Sequence, residues 1–236
     1  MNLFKQLLSI SLFALSSSII LAQVDNIELK SFNKLDIATN VEVEVLEGAP
    51  RAEINVVRGN REDLLIDVSK NELAIKFKNK KWGFLSGGSS PKAKIKVYTN
   101  QPLRYIEASS SSSVYSDFVF EVDKFVAETS SSATIDIIVS ANKVNADASS
   151  SSTIIIEGTT NRLVVDASSS ADVKAKKLRA NEVEADASSS ADVTVWASKE
   201  LSASSSSSSS IRYKGCLLYT SPSPRDATLS RMPSSA

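Results

Sequence analysis

Three aspartates, Asp147, Asp166 and Asp186, stand at one place in successive repeats of about twenty residues, each followed by Ala and a run of serines. Carboxylates stacked at such a spacing either share a hard cation such as calcium, which takes oxygen ligands, or stand in water and repel one another. No Asp-x-Asp-x-Gly loop accompanies them, which favours solvated side chains and leaves calcium as the second choice. Asp172 and Asp192 match one another in the same way, and neither aspartate column has an evident arginine partner. Lys174, Lys176, Lys177 and Arg179 fall in one repeat and read as a solvated edge. The chain has no histidine and a single cysteine. Imidazole acid/base catalysis, His-activated nucleophiles and ordinary zinc sites are therefore excluded. Gly87-Gly88 lies in a loop with no helix after it, so there is no phosphate-binding fingerprint. The expectation is no catalytic residue, no cofactor and no dedicated metal site.

What must position these groups is a repeat. The octapeptide DASSSADV reads at Asp166–Val173 and again at Asp186–Val193. Aligned on the serine triplets, the preceding residues are Ala108, Thr129, Ala148, Ala167, Ala187 and Ser204, with steps of 21, 19, 19, 20 and 17. A flexible linker has no reason to hold such a register. Within a copy the period is two: Val183, Ala185, Ala187, Ser189, Ala191, Val193 and Val195 share one parity. That alternation, with β-branched runs such as Ile154-Ile155-Ile156, specifies strands. A copy is too short to close a core of its own, so its neighbours must cover it. The fold class expected is all-β: a right-handed parallel β-helix, or solenoid, of about six coils of about twenty residues. At the strand spacing of about 4.8 Å six coils extend roughly 29 Å. Ser131, Ser150, Ser169 and Ser189 fall on the inward parity beside alanines and are expected to form a buried structural ladder of hydroxyls.

Before the repeats, residues 23–102 read as a non-repeating β region that continues or caps the solenoid of 103–215. NVEVEVLEG (40–48), AEINVVRG (52–59), ELAIKFKNK (72–80) and KAKIKVYTN (92–100) are strands, and REDLLIDV (61–68) is a short helix or turn. The loop KWGFLSGGSSP (81–91), with Trp82, Phe84 and Leu85, reads as a cap over the open end. Residues 1–22 have the basic start, apolar stretch and terminal Ala22 of a secretory signal peptide, which makes the chain exported, with no membrane span after cleavage. Beyond Gly215 the alternation stops. Cys216–Asp226 and Ser230–Ala236, on either side of the short gap Ala227–Leu229, resemble translated sequencing-library adapter, so 216–236 is read as adapter-derived and the true C-terminus as lying elsewhere. Removing Lys5, Arg225, Arg231 and Asp226 from the 27 basic and 27 acidic residues leaves 24 and 26. A nearly neutral chain argues against nucleic acid as a partner. Setting Cys216 aside leaves no disulfide framework.

From FNKLDIATNVEVEVLEG through KAKIKVYTNQPLRYIEASSSSSV to SIRYKG, about residues 30–215, the sequence resembles the secreted proteins described as putative auto-transporter adhesins with a head GIN domain, of Bacteroidetes-type bacteria. Many relatives carry glycine where this chain has Ser131, Ser150, Ser169 and Ser189. The resemblance implies a β-helical extracellular domain with an adhesive role and no catalytic motif.

Three functions from different classes remain. The leading one is a secreted or cell-surface, non-enzymatic adhesion or structural platform whose Ser, Asp and Thr columns face an unknown glycan or protein. The second is a polysaccharide-binding or polysaccharide-active β-helix, for which Trp82, Tyr115 and Trp196 are few and scattered. The third is an ice- or mineral-binding face of ordered hydroxyls, which would have to be flat.

Overall fold

The computed structural model describes residues 25–78, 90–216, 219–222 and 229–231. The expected leader, Met1–Ala22, lies outside them, as does nearly all of the expected capping loop, including Trp82, Phe84 and Leu85. The N-terminal strands are β1 (Asp25–Glu28), β2 (Lys34–Ile37), β3 (Val41–Glu47), β4 (Arg51–Arg58), β5 (Leu64–Ser69), β6 (Glu72–Phe77), β7 (Lys92–Thr99) and β8 (Tyr105–Ala108). The repeats supply β9 (Ser113–Thr129), β10 (Thr134–Ala148), β11 (Thr153–Ala167), β12 (Asp172–Ala187), β13 (Asp192–Ser205) and β14 (Ser210–Lys214). Arg61–Asp63 form a single 3-10 turn leading into β5. All pairings from β9 to β14 are parallel, each strand on the next, which is the expected solenoid.

Each coil turns at the serine run, and the turn explains the octapeptide. Ser169 and Ser170 have φ of 54° and 62°, and the same two-residue left-handed step recurs at Ser110/Ser111, Ser131/Ser132, Ser150/Ser151, Ser189/Ser190 and Ser207/Ser208. An i to i+3 hydrogen bond closes each one, such as Ala171 N–H to Ser168 C=O at 3.1 Å. This is the mirror-image turn that reverses a chain within two residues. Its flanking side chains, Ala167 and Ala171 in one coil and Ala187 and Ala191 in the next, point into the corner and are buried, and the equivalent positions in other coils hold Thr129, Ser152, Ser205 and Ser209. Successive corners are joined through the main chain: Ser151 N–H donates to Ser169 C=O and Ser170 N–H to Ser189 C=O, both at 2.9 Å.

The pleat between corners puts aliphatic residues inside in unbroken columns. One runs Val43, Val114, Ile135, Ile154, Val173, Val193, Ile211, and another Phe125, Val144, Leu163, Val183, Leu201, all buried. Burying each such side chain stabilises by roughly 1.5–3 kcal/mol before entropy is counted. The repeats differ in length, and most of the excess falls at one place, with a further shift between Ala180 and Glu182. Register shifts fall between Asp136 and Ile138, between Ile155 and Glu157, and between Ala175 and Ala180. The corners themselves stay aligned. In the last coil Ser205, one residue later than the sequence alignment gives, stands opposite Ala187. Beside the second shift, Gly158 has φ of 116°, and a Cβ there would overlap the Val139 carbonyl oxygen of the coil before it.

The N-terminal region enters the same sheet out of chain order. β2 lies between β6 and β8, and β3 between β7 and β9, all parallel, with Thr39 and Asn40 forming a left-handed corner of the same kind. Beyond β6 and β7 the pairing turns antiparallel, with β5 on β6, β4 on β7 and β1 on β4. These antiparallel strands continue the sheet beyond the edge of the parallel stack, where unpaired main-chain groups would otherwise invite aggregation. At the opposite edge, Tyr219–Pro222 (β15) and Leu229–Arg231 (β16) pair with β13 and β14. The sequence has no strand period there. An open row of N–H and C=O groups takes up an extended segment whatever its side-chain pattern, and this is why they form strands.

Two substitutions test this account. Gly158→Ala is expected to lower the urea-unfolding free energy by on the order of 3 kcal/mol, because both its φ and its backbone neighbour exclude a Cβ. Ser150→Gly, at φ of 55°, is expected to raise it by roughly 0.5 kcal/mol, because relief of the left-handed strain outweighs the entropy of glycine.

Candidate functional site

The aspartates do stack, and their column is longer than the sequence indicates. Asp147 stands opposite Asp166, and Asp166 opposite Asp186. In the other direction the column continues through Glu128, Glu107 and Asp36. Six carboxylates are thus held about one strand spacing apart on a single outward line. Tyr105 sits beside its middle, its hydroxyl donating toward Glu107 Oε2 at 2.9 Å and Glu128 Oε2 at 2.8 Å. Deprotonating that phenol would place a third negative group between two others. Burial, and then the two carboxylates, push its pKa far above the usual tyrosine range. Asp36, Asp147 and Asp186 are held above the ordinary carboxylate range, first by loss of water to their stacked neighbours and second by repulsion, from Glu107 on Asp36 and from Asp166 on the other two. Among the described residues no group of three or more His, Cys, Asp or Glu is arranged to hold a metal ion.

The four expected ladder serines lie elsewhere than the parity argument places them. Ser131, Ser150, Ser169 and Ser189 are exposed, because two consecutive left-handed residues shift the pleat and turn both side chains to solvent. Their contribution to the ladder is the main-chain carbonyl. At the corner the buried hydroxyls belong to the flanking residues: Thr129 Oγ1 pairs with Ser152 Oγ at 2.8 Å and Ser205 Oγ with Ser209 Oγ at 2.9 Å, while Ser112 Oγ donates to the Ser109 carbonyl at 2.6 Å. The exposed serines make a ridge two residues wide along the corner, which is not the broad flat face an ice- or mineral-binding surface requires.

The basic residues are more engaged than a solvated edge. Lys177 Nζ lies 2.6 Å from Glu157 Oε1, and that hydrogen bond raises the lysine pKa. Lys174 reaches Asp172 at 3.5 Å and Arg212 reaches Asp192 at 3.4 Å, so the second aspartate column does have cationic partners. These pairs are exposed and contribute little to stability.

On the far side of the coil from the serine corner is a feature that serine alignment passes over. Asn142 Nδ2 donates to Asp123 Oδ1 at 2.6 Å, Asn161 Nδ2 to Asn142 Oδ1 at 2.9 Å, and Asn181 Nδ2 to Asn161 Oδ1 at 2.9 Å. Ser198 Oγ completes the chain by donating to Asn181 Oδ1 at 3.0 Å. Asp123 ionised can only accept, so it dictates which way the Asn142 amide faces, and each amide dictates the next. Beside this ladder runs a second outward column, Glu121, Ser140, Thr159 and Arg179, and between them lies a shallow trough of about 560 Å³. Arg179 lies over the Trp196 ring, 4.5 Å from its centroid. The sequence signal existed, in Ala141-Asn142, Thr160-Asn161 and Ala180-Asn181 at the repeat period.

Residues 31–216 match the family model described as "Putative auto-transporter adhesin, head GIN domain". No curated protein sequence matches the chain. Among solved structures, a putative adhesin from Bacteroides fragilis superposes with a TM-score of 0.77 at 22% identity, over 89% of this chain and 96% of that one. A putative adhesin from Parabacteroides merdae gives 0.70 at 16% identity, over the same shares of 89% and 96%. A protein from Parabacteroides distasonis described as a putative lipid binding protein gives 0.65 at 18% identity, again over 89% and 96%. At these identities the likeness is one of fold.

The acidic column makes stability depend on pH with a definite sign. Asp36, Asp147 and Asp186 bind protons more tightly folded than unfolded, so their penalty is absent below the ordinary carboxylate pKa and grows as pH rises through the raised folded values. Asp166→Asn, which removes the charge between Asp147 and Asp186, is expected to raise the unfolding free energy at neutral pH by less than about 1 kcal/mol. The gain is expected to shrink toward about pH 4 and in high salt, as measured by urea titrations at each condition.

Proposed function

The chain belongs to the head GIN domain family of putative auto-transporter adhesins, and on that premise we propose that it is an exported, non-enzymatic recognition domain that works as a rigid platform at a cell surface. The observation that carries this reading is the stacking of outward side chains into registered columns. Carboxylates, hydroxyls and amides each repeat along the stack, an arrangement suited to an extended or repetitive partner. Catalysis needs unlike groups converging on one point, an acid and a base with pKa values pushed apart. Here the groups with shifted pKa values within the acidic column, Asp36, Asp147 and Asp186, are shifted in one direction and related by translation along it. Among the described residues no helix is long and apolar enough to cross a membrane. Export rests on the leader-like residues 1–22.

A platform of this kind needs little conformational change to bind. The parallel ladder and the stacked corners preorganise the columns, so the entropy of ordering the surface is met on folding rather than on association.

The fluorescently labelled full chain, applied to bacterial and animal cells and to a glycan array, is expected to bind saturably and to lose binding on heat denaturation. Incubation with polysaccharides is expected to release no reducing ends and no unsaturated products. Release of either would assign the chain to the competing polysaccharide-active class, and an absence of saturable binding to any surface would sink the platform reading.

A further inference from the structure

Resting on that reading, we infer that the trough between the Asn142–Asn161–Asn181 ladder and the Ser140–Thr159 column is the ligand site, and that it takes a neutral oligosaccharide lying along the solenoid axis. Each ladder amide spends one N–H and one oxygen lone pair on its neighbours. One N–H and one lone pair remain on Asn142 and Asn161, both exposed to solvent. A sugar hydroxyl is both donor and acceptor, and vicinal hydroxyls present the complement of such an amide. Across the trough Ser140 and Thr159 offer further hydroxyls, 3.4 Å from one another.

The ladder also supplies the preorganisation that a sugar site needs. Sugars are strongly hydrated, so a protein gains on them only with polar groups already fixed in position. The acceptor-only Asp123 fixes the polarity of the whole row, and Ser198 closes it. From the coil of Asp123 to that of Asn181 is three strand spacings, roughly 14 Å, room for a short oligosaccharide. The volume of about 560 Å³ is that of a small-ligand site. Among the residues lining the trough, formal charge is confined to Glu121 at one end and Arg179 at the other, so its middle selects for neutral rather than ionised units. A peptide is a poor fit, because binding by strand addition needs free main-chain groups and those of β10 and β11 are paired on both sides.

The test is calorimetric titration of the full chain with cello-, malto-, xylo-, manno- and chito-hexaoses. At least one is expected to bind, with Asn161→Ala and, separately, Thr159→Ala each weakening it at least tenfold, and Asp166→Asn leaving it unchanged. Thr159 makes no buried contact through its hydroxyl, so it reports even if Asn161→Ala fails to fold. Binding unaffected by Thr159→Ala, or equally affected by Asp166→Asn, would overturn the assignment. So would no binding to any of the hexaoses. If the chain adheres saturably to cells while the hexaoses neither bind nor compete, the trough is refuted and the platform stands. If it adheres to nothing, the platform reading fails first.

Discussion

Two consecutive residues in the left-handed region, repeated in every coil, set the geometry of this molecule. They let the chain reverse within one turn, and their peptide groups hydrogen-bond to the next corner rather than to water. For residues with a Cβ this conformation costs about 1–2 kcal/mol each. The cost is offset because a corner that reverses in two residues brings the flanking strands into parallel stacks, where main-chain bonds and aliphatic columns run without interruption. The residues on either side of the turn are buried and small, Ala in most coils and Ser or Thr where their hydroxyls find partners, as Thr129 and Ser152 do.

A coil that repeats by translation places like on like, and what happens next depends on chemistry. Aliphatic columns gain from it. Amide columns gain too, because an amide is donor at one end and acceptor at the other, and a row of them forms a polarised chain from Asp123 to Ser198. Carboxylates lose, since they only accept. The acidic column therefore carries raised pKa values where the amide column carries hydrogen bonds. The two outward columns, built by one repeat, have opposite electrostatic character.

Length variation among the repeats is absorbed where it does least harm. Shifts near Asp136, Ile155 and Ala175 lie on one stretch of the coil and a further one lies between Ala180 and Glu182, while the serine corners remain in register. Gly158 stands next to such a shift, with a left-handed φ of 116° and a Cβ position that would overlap the Val139 carbonyl oxygen. The N-terminal strands meet a different requirement. They turn the outermost parallel coil antiparallel, which carries the sheet past the end of the stack.

The amino-acid sequence by itself determined the solenoid, its coil length, the aliphatic inward parity and the stacking of Asp147, Asp166 and Asp186, because each of these depends only on period two within a copy and on a period near twenty between copies. The family resemblance of residues 30–215 lay in the same pattern. Tertiary structure alone decided the orientation of Ser131, Ser150, Ser169 and Ser189, since parity counting assumes an extended chain and two left-handed residues break the count. It decided as well that β2 and β3 lie between strands far away in sequence, which no local pattern encodes. The asparagine ladder was legible as three residues at the repeat period, yet its direction was not. That direction comes from a carboxylate one coil away, through hydrogen bonds that exist only once the coils are stacked.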